Sequence, residues 1–81
     1  MKDILIAVAP RSEKHREICN RIATEIAEQK IPLQRPLETA FLTSGPKSFE
    51  GAMLIRDICL QDNLLFAIFE IESVLFAPTE N

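Results

Sequence analysis

Apolar residues cluster along this chain in four short blocks, and the spacing within each block differs. Ile4-Leu5-Ile6-Ala7-Val8-Ala9 is continuous and rich in β-branched side chains. A run of that kind reads as a strand buried on both faces and central in its sheet. Pro10 stops it. Next come Ile18, Ile22 and Ile26 at spacing four, flanked by Cys19, Ala23 and Ala27. This stripe predicts an amphipathic helix, N-capped by Ser12, with Glu13 in the first turn where the helix dipole favours an acid. Glu17, Arg21 and Glu25 stand four apart on its polar side. Ile31-Pro32 ends it, since the residue before a proline disfavours helical backbone.

Residues 31–36 hold Pro32 and Pro36 and read as a stiff connector. Leu37–Thr43 alternates Thr39, Phe41 and Thr43 against Ala40 and Leu42, the period of a strand. Ser44-Gly45-Pro46 signals a turn. A second helix from about Ser48 to Gln61 places Ala52, Ile55, Ile58 and Cys59 on one side; Gly51 weakens it, and a strand through Met53–Leu60 is the alternative. After the Asp62-Asn63 turn, Leu64–Ile71 is the most apolar stretch and reads as a second buried strand. Val74-Leu75-Phe76-Ala77 is a candidate further short strand, and the chain from Pro78 onward is expected to fray.

The predicted order is therefore β-α-β-α-β with a possible extra C-terminal strand, an α/β (α+β) two-layer sandwich in one domain over residues 1–81. With 81 residues the chain has room for helices on one face of a sheet and not for a second helical layer. Strands apolar on both faces then imply that the second face is buried against another subunit or partner.

Composition narrows the partner classes. Hydrophobic residues make up 47% of the chain and charged residues 26%, ordinary for a globular protein. The net charge is −3 and the isoelectric point near 5.0, so nucleic acid is disfavoured as a general partner. The charge is uneven: residues 1–36 hold seven Lys/Arg against five Asp/Glu, and residues 37–81 two against seven. With neither Trp nor Tyr, aromatic anchors must be Phe. Cys19 and Cys59 lie far apart, without a CxxC or companion histidines, so buried thiols are the simpler reading than a disulfide. The first apolar run is too short for a signal-peptide core or a membrane span, which points to a cytoplasmic protein without membrane association.

Thr39-Ala40-Phe41-Leu42-Thr43-Ser44, a helix with Ile55 and Ile58, and Gln61-Asp62-Asn63-Leu64-Leu65-Phe66-Ala67-Ile68 together follow a recurring layout. Residues 39–71 resemble a strand–helix–strand block of small ferredoxin-like proteins related to the CRISPR-adaptation nucleases and to SinR-like proteins. That resemblance implies a ferredoxin-like fold, homodimeric through its sheet. Nuclease members place an acidic residue at the end of strand one for metal-dependent phosphodiester cleavage. The matching stretch here, Ala7-Val8-Ala9-Pro10, has no carboxylate, so no catalytic residue carries over.

Several constellations bear on chemistry, each with a plainer reading beside it. Arg11, Lys14, His15 and Arg16 gather at the start of helix one, where free amides and the dipole suit an anion; Arg11, Lys14 and Arg16 are the candidate anion-binding set, and a solvated helix face is the alternative. Glu70 and Glu72 are two apart and share a face if extended, which could hold a hard cation or form a solvated strand end. His15, the sole histidine, has no partner marked by a motif, and a zinc site is not expected. Thr43–Ser48 superficially resembles a phosphate loop but lacks its spacing, and Pro46 removes an amide. Phe66, Phe69 and Phe76 are candidates for a partner interface or for core packing.

The expected function is thus a non-enzymatic interaction protein: a homodimer that binds another macromolecule, with no catalytic residue, metal or cofactor assigned. A divergent metal-dependent nuclease or nucleic-acid-binding relative of the resembled family is the alternative.

Overall fold

The structure, a computed structural model, describes residues 3–9 and 13–72. Its elements are β1 (Asp3–Val8), α1 (His15–Glu28), β2 (Leu33–Leu37), β3 (Ala40–Thr43), α2 (Ser48–Gln61) and β4 (Phe66–Ile71). One four-stranded sheet has the order β2-β3-β1-β4, and every neighbouring pair is antiparallel. The fold is α+β, with two helices and one sheet. The expected Ser12 cap and the candidate strand Val74–Ala77 lie outside the described residues.

The element order corrects the predicted one. Residues 33–37 are a strand rather than a connector, and the expected strand 37–43 begins only at Ala40. Between them Glu38 and Thr39 make a tight turn, so the order is β-α-β-β-α-β. Pro36 misled because it removes a backbone donor. It is tolerated here since β2 is an edge strand whose pairing with β3 shifts register between Gln34 and Leu37. The second helix formed as expected over 48–61, and the strand alternative through Met53–Leu60 is ruled out.

Strand parity divides the apolar residues between two faces. Ile4, Ile6 and Val8 of β1 join Phe41 of β3 in one buried cluster with Ile18, Ile22 and Ile26 of α1 and Ala52, Ile55 and Ile58 of α2. Both helices therefore cover the same face. The opposite face carries Leu5 and Ala7, paired in register with Leu42 and Ala40 on one side and with Phe69 and Ala67 on the other. β4 is an edge strand and its residues are half-buried or exposed, so it is not the doubly buried strand its composition predicts.

Both helices stop in the same way. Lys30 (φ 58°) and Asn63 (φ 56°) take the left-handed conformation. The following residues, Ile31 and Leu64, donate their amides to the carbonyls of Ile26 and Cys59, five residues back, and bury their side chains in the core. This is the Schellman arrangement, which satisfies end carbonyls and adds an apolar contact. Asn tolerates that backbone; Lys strains in it.

Gly51 sets how closely α2 approaches the sheet. A Cβ at this position would stand 3.1 Å from a methyl carbon of Ile31 and from one of Thr43. Thr43 cannot easily yield: it is fully buried, and its Oγ1 donates to the Ser48 carbonyl at 2.9 Å. Urea unfolding should therefore show Gly51→Ala losing about 1 kcal/mol, because overpacking outweighs the gain in helix propensity. By the same measurement Lys30→Gly should gain about 0.5–1 kcal/mol by relieving the left-handed strain.

Candidate interaction surfaces

The turn between β2 and β3 is held against α1 by one arginine. Arg35 donates from Nε (3.0 Å) and Nη2 (2.8 Å) to the Glu38 carbonyl, closing the turn on itself. Its Nη1 donates to Asn20 Oδ1 on α1 at 3.0 Å. The guanidinium carbon lies 5.3 Å from the centre of the Phe41 ring, within cation–π range. Arg16 of α1 completes the tie, its Nε 2.8 Å from Glu38 Oε1, although both side chains are largely exposed. These residues line a shallow pocket of about 300 Å³ together with Pro36 and Leu37. Chemically it is a guanidinium-rich recess whose acidic counterpart, Glu38, is already built in.

That arrangement bears on the candidate anion-binding set. Lys14 immediately precedes α1 and Arg16 sits in its first turn, paired with Glu38; Arg11 lies outside the described residues. The structure thus gives Arg16 a partner from its own chain. Arg21, expected to pair along its own helix, instead bonds to Asp62 Oδ2 and ties α1 to the end of α2.

The candidate interface phenylalanines separate. Phe66 lies opposite Val8 and packs against the core on the helix side. Phe69 lies opposite Leu5 on the other face and is 50% exposed. Three residues apart on a strand, the two must point to opposite sides. Phe76 lies outside the described residues.

Other exposed apolar residues went unmarked in the sequence: Leu37 at 60% on β2, Phe49 at 65% and Leu60 at 60% on α2, and Leu65 at 55% before β4. Phe49 and Leu60 were findable, because a helical wheel places them off the Ala52–Ile55–Cys59 side. Leu37 was not, since its face follows from the register shift in β2. A second recess, of about 270 Å³ and mostly apolar, lies between Ala7-Val8-Ala9 and Leu65-Phe66-Ala67.

Ionisable groups do not converge. Among the described residues no group of three or more His, Cys, Asp or Glu is placed to hold a metal ion. Glu70 lies opposite Ile4 on the helix side of β4, and Glu72 follows the strand. Cys19 and Cys59 are free and fully buried. Burial pushes the Cys59 thiol up to about 11, with Cys19 and Asp62 adding to the effect. Burial also raises Cys19, partly opposed by Arg35. Both thiols therefore stay protonated near neutral pH and act as packing groups. Thr43–Ser48 forms a turn into α2, with Gly45 at φ 83° and the Ser48 amide bonded to the Gly45 carbonyl at 3.1 Å. Among the described residues no helix is long and apolar enough to cross a membrane.

No family model, curated protein or solved structure matches this chain.

Arg35 bridges three elements, so Arg35→Ala should lower stability by about 1–2 kcal/mol in urea unfolding, and Arg35→Lys should not restore it, because an ammonium cannot reproduce the fork. Arg16→Ala should leave the midpoint nearly unchanged, as expected of an exposed ion pair.

Proposed function

We propose that this chain is a ferredoxin-like interaction domain that works as a homodimer and binds another macromolecule, without catalysing a reaction. The observation that carries the reading is the apolar sheet face opposite the helices, where Leu5, Ala7, Ala40, Leu42, Ala67 and Phe69 stand side by side. Its margins, Leu37 on β2 and Phe69 on β4, are the exposed large side chains of that face. An apolar face of this extent marks an interaction site in a soluble protein. The split β-α-β order with antiparallel strands β2-β3-β1-β4 supports the ferredoxin-like assignment. The resemblance of residues 39–71 to dimeric ferredoxin-like proteins supports pairing through the sheet.

A second copy is favoured over nucleic acid because the net charge is −3 and the arginines at the start of the chain's first half already hold internal partners. Two free, buried thiols suit a reducing compartment, so we place the protein in the cytoplasm. No specific observation favours the nuclease reading.

Light scattering tests the proposal. The 9.2 kDa chain should run at twice its mass, and Phe69→Glu should shift the equilibrium at least tenfold toward monomer while leaving the unfolding midpoint nearly unchanged. A wild-type protein that stays monomeric up to high concentration would contradict it.

A further inference from the structure

The open face is not uniformly exposed. Phe69 and Leu37 at its margins are 50% and 60% exposed, whereas Leu42 near its centre is 3% exposed. Leu42 points away from both helices, because its neighbours Phe41 and Thr43 take the helix side and its register partner is Leu5. Flanking side chains on a flat sheet shield a leucine only partly, so something else must lie over it.

We propose that residues 74–77 of this same chain cross the open face and cover Leu5 and Leu42. The inference goes beyond the dimer reading and does not rest on it. Three features select this segment. It carries four apolar residues in a row, Val74-Leu75-Phe76-Ala77, directly after the last strand. It starts at the right end of the sheet: β4 finishes at Ile71, opposite Asp3, and Leu5 and Leu42 lie two residues in from that end. It also reaches. Leu42 is two strands from β4, about 10 Å across, and five residues of extended chain from Ser73 span about 16 Å. The other segments fit less well: Pro10–Ser12 leaves β1 at the far end of the sheet, and Met1-Lys2 offers one apolar side chain.

Covered in this way, the centre of the face needs no partner, and Leu37 and Phe69 remain at its margins for one. The tail then acts as part of the interaction surface, and the outward side of residues 74–77 meets whatever docks there.

The chain has no Trp or Tyr, so a single indole reports cleanly. In full-length Phe76→Trp, at dilutions where light scattering reads monomer, the indole should emit at a blue-shifted wavelength and be quenched by iodide several-fold less than in a peptide of residues 73–81. Adding Leu75→Asp should return both readouts to the peptide values with far-UV circular dichroism unchanged, since the change lies outside the core. Adding Leu5→Cys instead should shorten the indole lifetime by contact quenching, which places the segment on this face. A solvent-like indole in the monomer would overturn the proposal. So would a lifetime unmoved by Leu5→Cys, or a blue shift that appears only on dimerisation, which would assign the cover to a second copy.

Discussion

Two helices can cover one face of a four-stranded sheet, and the character of this protein follows from that limit. The helix side is closed by isoleucines at helical spacing meeting alternate positions of β1 and β3. Because side chains on a strand alternate, each residue of β1 sent into the core leaves its neighbour on the other side. Those neighbours are Leu5 and Ala7, and their register partners on β3 and β4 are also apolar. A chain that needed only water on that side would be expected to alternate with polar residues, as one-sided antiparallel sheets do. The second apolar face is therefore what links this fold to a function.

The sheet's two margins are built differently, and the difference bears on where contacts form. β2 is blunted by Pro36 and a register shift and is pinned to α1 through Arg35. Such features discourage further strand pairing. β4 has no proline, and the chain continues directly from it. Arg35 also explains how a short hairpin with a proline in it holds its position: it closes the turn and rests on Phe41 while reaching Asn20. Stability and surface shape meet in that one side chain.

Much of the architecture was legible in the residues. Isoleucines at spacing four announced α1, and the Ala52–Ile55–Cys59 side announced α2 despite Gly51, whose missing Cβ the close approach to Ile31 and Thr43 explains. The β2–β3 hairpin was hidden because prolines at 32 and 36 mimic a linker, and an edge strand with shifted register tolerates what a central strand would not. The faces of Phe66 and Phe69 followed from parity once the strand was fixed. The exposure of Leu37 and the burial of Leu42 did not, since register and cover are tertiary properties. The basic cluster was visible as composition, but nothing in the spacing foretold that Arg16 would close on Glu38, twenty-two residues away.

The central claim is that the face opposite the helices is occupied in the working molecule. Methyl and aromatic NMR signals recorded with an inert, soluble paramagnetic agent read it directly. At the protein's working concentration, Leu5, Leu42 and Phe69 should be protected nearly as well as Ile6 in the core, while Phe49 and Leu60 on the outer side of α2 relax fast. Relaxation of Leu5 and Leu42 as fast as that of Phe49 would show a face open to water and contradict the account.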